Sequence, residues 1–599
     1  MKVKTTCAVL FGALSSANHG NAEYLAENRV LDPLLVSGLT TSEKDSLPGS
    51  SSVSVVPPET IEEKNITTVR QALELVPSVM VSQAESSRAS SFTVRGGHEI
   101  TFHELTGGRT SVGYYIDDIP IADAYGRDLT IFSVDKFALH KGPHGTAFGI
   151  PHCMGIIDVT TRQPGSESEG ELSFLHGSYE LNQVLARVSG PVSSNLFFGI
   201  DSLYSEDEGW FTNKETGNSY GKRGLASGRA RLRWLPNDDM EFNLILGIDH
   251  HDDDPVVYVH SGASTDRYSV YAAPEAYSTG GQNYEGLSFL WRRDGWQMKS
   301  ITSHRDSDFD DYDPVLLKEV FDPGSTPRLR RQDVSSWTQE FRAESTDPNE
   351  DIQWRTGLFI GSRDSSLYHD IRGLGPWEGL NQAIYQHDDL ALYGEFSRRL
   401  EGHLEWSAGM RFQNTDDATT SSFVPTSLAE TLGGSTVTMK KGDVFFGVLP
   451  MAGLAWNWLD GNQTYFRYTR GMQPGGLAVA SGGSVDYQTE YSNHVEVGHN
   501  SSFSEDLIEC HTAIFYTDYK DYQSFQFNPT GTTIFNASKA HALGAETEIR
   551  FRPEKDFMIY VGAGLTRARF DDFKSSIGDF SGNQINDIPS GKINAGVSY

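Results

Sequence analysis

The chain has 599 residues, with 49 Lys+Arg against 80 Asp+Glu and a net charge of −31. That balance argues against a nucleic-acid partner, which needs cations to displace phosphate counterions, and 3 Cys cannot staple a chain of this length. No run approaches the ~18 apolar residues of a membrane-spanning helix, whereas 25 Tyr, 32 Phe, 10 Trp and 59 Gly point to a large β-barrel.

Residues 1–22 read as a signal peptide: Lys2 and Lys4, then the short apolar run CAVLFGAL at 7–14, then small residues. Cys7 leaves with it. Cys153 and Cys510 remain for an oxidising compartment and are expected as two unpaired buried thiols, a bridge between them being the alternative. Residues 23–48 form a short periplasmic segment. Residues 49–165 have the pattern of a compact α/β domain. A helix is expected over 59–79, from its acidic start through Val69, Leu73 and Val76 to Pro77. Strands are expected at 91–97, 111–120 and 155–164.

From residue 168 to 599 the polarity alternates with period two, as in NLFFGIDSLY at 195–204 and LALYGEFSRRL at 390–400. The connections alternate in length. Short turns fall at 191–195, 236–239, 292–296, 347–351, 400–403, 459–463, 501–506 and 552–556. Long loops fall near 205–222, 252–282, 306–334, 362–387, 413–442, 472–487, 521–535 and 570–587. Short turns on one side and long loops on the other are the habit of an outer-membrane barrel. The rhythm gives about 18 strands, one per 24 residues. A barrel that wide leaves an open lumen, and the α/β domain before it has the size of a plug. Arg229, Arg231, Arg398 and Glu546 are the strand charges expected to face that lumen.

Several stretches imitate catalytic motifs. His98-Glu99 with His103 lacks the i, i+4 spacing of a zinc peptidase, and Gly217-Asn218-Ser219-Tyr220-Gly221 lies in a polar loop instead of a strand–helix elbow. Gly142-Pro143-His144-Gly145 is not a phosphate loop, because no Gly-Lys-Ser/Thr follows. Asp249-His250-His251-Asp252-Asp253-Asp254 reads as a solvated strand end, with a divalent-cation site as the alternative. No enzyme activity or cofactor is expected.

Four motifs, in order, resemble the TonB-dependent outer-membrane receptors. VLDPLLVSGLT at 30–40 is similar to the family's energy-coupling box. LELVPSVMV at 73–81 and FTVRGG at 92–97 are similar to the first plug motifs. GGRTSVGYYIDDIPI at 107–121, KGPHGTAFG at 141–149 and GIIDVTTRQP at 155–164 are similar to the central plug signature. RYTRGMQPGG at 467–476, HVEVGHNSSF at 494–503, AIFYTDYKDYQ at 513–523 and ALGAETEIRF at 542–551 are similar to late barrel strands. Departures are His144, Phe148 and Pro151-His152-Cys153-Met154, which put the path of the plug's last loop in doubt.

The resemblance implies a mainly β fold, an antiparallel transmembrane barrel around an N-terminal plug. It implies coupling to TonB through Leu31, Asp32, Pro33, Leu34, Leu35, Val36 and Ser37, and a plug motif of Arg95, Gly96, Asp117, Asp118, Gly142, Pro143, Gly145, Gly149 and Gly155. It makes an iron complex, a ferric siderophore, the default substrate, with cobalamin, a glycan or another metal chelate as alternatives. Substrate-binding candidates are Arg109, Tyr125 and Arg127 at the plug apices. In the loops they are Tyr312, Arg328, Arg330, Arg331, Trp377 and Tyr385, with Tyr258, Tyr268 and Tyr271 in a further loop. Arginines and aromatics suit a flat anionic chelate; lipopolysaccharide phosphates and an interfacial girdle are the other reading of the same residues. The protein is expected as a monomer in outer-membrane lipid and lipopolysaccharide; an adhesin or unplugged porin is the rival, and the N-terminal 150 residues argue against it. The family barrel has 22 strands, so the sequence is expected to be a fragment or truncated product lacking roughly 95 residues at the same spacing. A smaller barrel closing strand 18 on strand 1 is the alternative.

Overall fold

The computed structural model describes residues 51–599 apart from 84–89, 99–106, 108–109, 122–127, 256–265, 267, 317–324, 348–349, 374–377, 401–402, 460, 481–482, 504–506, 529–530, 555–556 and 576–577. The signal peptide and the coupling box lie outside the described residues.

Residues 53–161 build the plug. Its main sheet runs Val53–Val56, Val134–Lys141, Gly155–Thr161, Val112–Ile116, Ile119–Pro120, with Val112–Ile116 parallel to Gly155–Thr161 and the other neighbours antiparallel. A second sheet joins Val79–Gln83, Ser90–Val94 and Gly97–His98. One core unites them, with Val69, Leu73, Phe92, Tyr114, Phe137 and Ile157 fully buried.

The helix expected over 59–79 is two short helices, Pro58–Glu63 and Val69–Leu73. Asn65 at φ 49° breaks the run. Thr68 then starts the second helix with a capping box, its hydroxyl accepting from Gln71 N while the Gln71 side chain accepts from Thr68 N. T-x-x-Q is the sequence signal for that restart. The strands at 91–97, 111–120 and 155–164 are present, the middle one as a tight hairpin turning on Asp117-Asp118.

Residues 169–598 form an antiparallel barrel of 18 strands, ordered along the chain, with the last strand, Gly591–Ser598, beside the first, Glu169–His176. These two end strands differ from the rest in being exposed or half-buried on both faces along almost their whole length. All eight expected short turns fall between consecutive barrel strands.

The long loops are shorter than expected, because the strands run on. Trp296–Leu316, Ser325–Ser345, Ile352–Ile371 and Gly379–Arg399 are 20 or 21 residues each. A tilted strand needs only about 9–11 residues to cross the bilayer. The outer halves therefore project beyond it, where both faces are polar and hydrophobic alternation no longer marks a strand. Within the membrane band the inner residues are buried and the outer ones exposed, as in Ile352–Ile371. Leu244, Leu392, Phe466 and Ile514 present apolar surface outward.

Candidate functional site

The site with the densest chemistry is the contact between plug and barrel wall. Strand alternation decides which wall residues reach it. Arg229, Arg231 and Glu546 do point inward and are buried; Arg398 does not, because it follows the inward-facing Ser397 and so takes the opposite face.

On one side the plug supplies anions. Asp117 and Asp118 occupy the two-residue turn between Val112–Ile116 and Ile119–Pro120, both at positive φ (52° and 68°). This is the conformation of a type I′ hairpin. Asp117 accepts from Thr161 N and Thr161 Oγ1, both at 2.9 Å, and pairs with Arg231 of the wall. Asp118 pairs with Lys299 and, at 3.4 Å, with Arg342. Burial pushes the Asp118 carboxyl up, but the two cations outweigh it and hold it well below the usual carboxylate range.

On the other side the plug supplies cations. Arg95, 2% exposed, pairs with Glu496 and with Glu546 at 2.6 Å. Lys141 reaches the same Glu546 at 3.0 Å and Glu548 at 3.2 Å. Burial works against the Arg95 guanidinium, yet the two glutamates win and keep it charged. Gly96 follows at φ +84°, where a Cβ would meet Ala542 Cβ at 2.8 Å. A larger residue could not let Arg95 approach the wall this closely.

A third set of contacts joins wall cations to plug carbonyls. Arg411, fully buried, donates to Gly145 O at 3.1 Å, Phe148 O at 2.9 Å and Gly149 O. Arg229 donates to Phe132 O at 3.3 Å, and Lys592 to Val76 O at 2.8 Å and Val79 O at 2.9 Å. The loop from Gly142 to Gly155, whose path the sequence left in doubt, is thereby defined. Gly142 turns at φ +85° ahead of Pro143, and Gly155 lies against His140 O, which a Cβ would meet at 2.7 Å. Phe148 packs on Tyr115 with ring centroids 5.2 Å apart.

His152 in this loop sits over Gly113, its Nδ1 donating to Thr110 O at 3.2 Å. Burial lowers its pKa to about 4. An imidazole that titrates near 6.5 when unfolded is therefore neutral in the folded plug. The associated stability is complete above pH 6.5 and declines as the pH falls from there toward 4, because the unfolded chain takes up the proton first. His152→Asn is expected to flatten this part of the acid response of plug protection, read by proteolysis between pH 7 and 4.5. An unchanged slope would show that His152 does not carry it.

The substrate candidates divide. Arg109, Tyr125, Arg127 and Trp377 lie outside the described residues, as does Tyr258. Tyr312, Arg328, Arg330 and Arg331, expected in a long loop, instead sit on the paired strands Trp296–Leu316 and Ser325–Ser345. Each arginine faces an aspartate: Arg328–Asp313 at 2.9 Å, Arg330–Asp311 at 2.6 Å and Arg331–Asp310 at 2.9 Å. Arg330 points inward; Arg331 and Tyr312 are on the opposite face of their strands, away from the lumen, with Tyr277 and Asp310. Tyr385 faces the lumen and is buried against Leu367 and Val479. Asp249 to Asp254 do not converge: Asp249 accepts from Gln282, Asp253 from Gly224 N and Asp254 from Gly221 N and Lys222 N. No group able to hold a metal occurs among the described residues. Cys153 and Cys510 are unpaired, the first buried and the second only partly so.

The family model of the TonB dependent receptor-like beta-barrel matches residues 193–599, and that of the TonB-dependent receptor plug domain matches 46–156. The chain belongs to the TonB-dependent receptor family. It is an outer-membrane receptor, and its plug and barrel are those described above. The pesticin receptor of Yersinia pestis is 21% identical over 98% of this chain and 85% of its own. Among solved structures, the ferric yersiniabactin uptake receptor FyuA of Yersinia pestis superposes with a TM-score of 0.81 at 20% identity, covering 93% of this chain and 85% of that one. The siderophore receptor PiuA of Acinetobacter baumannii gives 0.77 at 15% identity, covering 95% and 87%.

The sequence reading missed Arg411, Glu496, Lys141 and Lys592. For Arg411 a signal existed: a lone charge between Met410 and Phe412, both exposed on the outer face, has to point into the lumen.

Proposed function

We propose that this receptor binds a ferric siderophore above the plug and carries it inward with work delivered by TonB. The observation that carries this reading is the correspondence of plug and barrel together, over nearly the whole chain, with a ferric yersiniabactin uptake receptor. A plug held by polar and charged contacts supports it as well, since such contacts can be exchanged for water when the plug moves. Iron is the cargo here and no resident cofactor is invoked.

In this reading Arg109, Tyr125 and Arg127 at the plug apices form the floor of the site, with Trp377 and Tyr385 at its side. The charges of Arg328 and Arg330 are matched by their own aspartates, so recognition rests on hydrogen bonds and aromatic stacking more than on net positive charge. With Tyr312 and Arg331 facing outward, we assign them to lipopolysaccharide. The apolar outer face fits a monomer surrounded by lipid. The test is accumulation of radiolabelled iron, offered on catecholate, phenolate and hydroxamate chelators, by iron-starved cells with and without the gene. No gene-dependent uptake from any chelator would overturn the reading.

Coupling is assigned to Leu31–Ser37, paired to TonB as an added strand. Deleting these seven residues is expected to abolish uptake while leaving binding of the chelate to the cell surface within about twofold, as strand pairing happens on the periplasmic side. Parallel loss of binding and uptake would make the segment structural.

A further inference from the structure

The connection between the barrel strands Asn462–Gln473 and Glu490–Phe503 is not a loop over the barrel mouth. It is a two-stranded hairpin, Gly476–Ala480 against Gly483–Tyr487, and it folds into the lumen. Leu477, Ala478 and Val479 are 1–2% exposed although none belongs to the barrel or the plug. Val479 packs on Leu367, Ala383 and Tyr385 of one wall and on Phe525 of the opposite side, and Ala478 and Tyr487 pack on Ile534. The hairpin thus touches walls on both sides of its own strands.

Wall residues that it packs on also touch the plug. The Tyr385 ring lies against Gly107, where a Cβ would come within 2.7 Å of it, and Phe525 lies 5.9 Å from the His98 ring.

Beside this apolar packing, polar contacts fasten the hairpin at a few points. At the feet, Gln523 Nε2 lies within hydrogen-bond distance of Gln473 O (3.2 Å), Pro474 O (3.1 Å) and Gln488 O (3.0 Å). Asn536 holds Gln488 from both sides, accepting from its N at 2.7 Å and donating to its O at 3.0 Å. Near the tip Ser484 meets Ser421 at 2.5 Å, and close to the feet Asp486, which faces Leu477 within the hairpin, pairs with Lys441. The hairpin strands, GLAVA and GSVDY, carry mostly small side chains, with Leu477, Val479 and Tyr487 the larger ones buried against the walls.

We propose that this hairpin is a gate across the outer half of the lumen, hinged at Gln473–Pro474 and Gln488 and held shut at Ser421 and Lys441, which has to be displaced before anything reaches the plug. Small side chains and a handful of hydrogen bonds let it leave the lumen without unfolding the barrel, whose ladders do not involve it. The inference concerns access and does not depend on which substrate is carried.

The test needs no substrate. Ala383→Cys places a thiol in the buried cluster that holds Val479, in a background of Cys153→Ala and Cys510→Ser, and whole cells are treated with a membrane-impermeant maleimide dye. Replacing Gly476–Tyr487 by Gly-Gly sets the rate for an open lumen. Ser421→Ala with Lys441→Ala, and the same pair with Gln523→Ala, release the two side-chain fastenings and then the hinge. Labelling is expected to rise at least tenfold from the parent to the loosened variants and to approach the open rate. The pair keeps the test alive should the Gln523 variant not reach the membrane. Loosened variants that label at the parent rate would make the hairpin a fixed partition. A shortened variant that labels no faster than the parent would show that the hairpin covers nothing. Either result overturns the gate and leaves the uptake reading untouched.

Discussion

Arg95→Met is expected to loosen the whole plug. The guanidinium is 2% exposed between Glu496 and Glu546, which are themselves buried. Removing it leaves Glu496 without its cation and Glu546 with Lys141 alone, whose single charge also serves Glu548. Breaking a buried pair from one side costs about 3–5 kcal/mol, most of it the penalty of the charge left behind. The attraction lost is smaller than that penalty, so a compensated variant separates the two. Arg95→Met with Glu496→Gln and Glu546→Gln leaves no bare charge and should recover much of the loss. Arg95→Lys should fall between, because one ammonium cannot span both carboxylates as a planar fork does. The measurement is protease susceptibility of the plug in the solubilised receptor, with heat-modifiable migration as the check that the barrel is intact. Wild-type resistance in Arg95→Met would mean that the pair holds nothing.

The Asp117-Asp118 turn gives the opposite side a different character. Asp118 stays ionised well below the ordinary carboxylate range. Its contribution is therefore in place above about pH 4, the unfolded value, and is lost only as the pH falls toward the lower folded value. At mildly acid pH the plug is expected to weaken first through its buried imidazoles, His144 and His152, whose pKa values burial holds below the ordinary one, and not through this turn.

Sequence and structure agree where the physics is local. Period-two alternation with aromatics located the eight short turns, because a lipid-facing residue must be apolar and its neighbour, facing the lumen, need not be. The same rule failed above the membrane. In Trp296–Leu316 and Ser325–Ser345 both faces of the outer half are polar, so DSDFDDYD and RLRRQD read as loop although they form one continuous ladder. Parity, once a strand is accepted, would have separated Arg330 from Arg331 and taken Tyr312 out of the lumen. The break in the plug helix was legible in T-x-x-Q and was masked by the apolar spacing of Val69, Leu73 and Val76. What no local rule supplies is partnership across the chain. Arg95 and Glu496 are 401 positions apart, and their pairing follows from closure of the barrel around the plug. Nothing in FTVRGG or HVEVGH names the other.

Arg411→Leu is expected to act on one loop and leave the rest of the plug in place. Unlike Arg95, Arg411 makes no ion pair among the described residues; its guanidinium is spent on carbonyls of Gly145, Phe148 and Gly149 and on Gln413 Oε1, at 2.7 and 2.9 Å. It also lies 5.3 Å over the Tyr393 ring, whose hydroxyl donates to Glu340. Its removal therefore frees acceptors and not a bare charge. Hydrogen bonds to a charged donor contribute about 1.5–3 kcal/mol each, and unmet buried acceptors cost a comparable amount. Because water can reach a loosened loop more readily than a closed core and re-satisfies most of these acceptors, a net loss of about 3 kcal/mol is expected, well below those sums. That corresponds to roughly a hundredfold faster amide exchange if the loop opens locally. The increase should be confined to residues 142–155, with Val53–Val56 and Val112–Ile116 still protected, whereas Arg95→Met should raise exchange throughout the plug. Arg411→Lys should resemble leucine more than arginine, because three carbonyls arranged around a planar fork do not match an ammonium on a flexible stem. Equal protection of 142–155 in all three forms would mean that this loop is held by Phe148 against Tyr115 and by Thr146, which donates to Glu395 at 2.6 Å, and that the arginine is incidental.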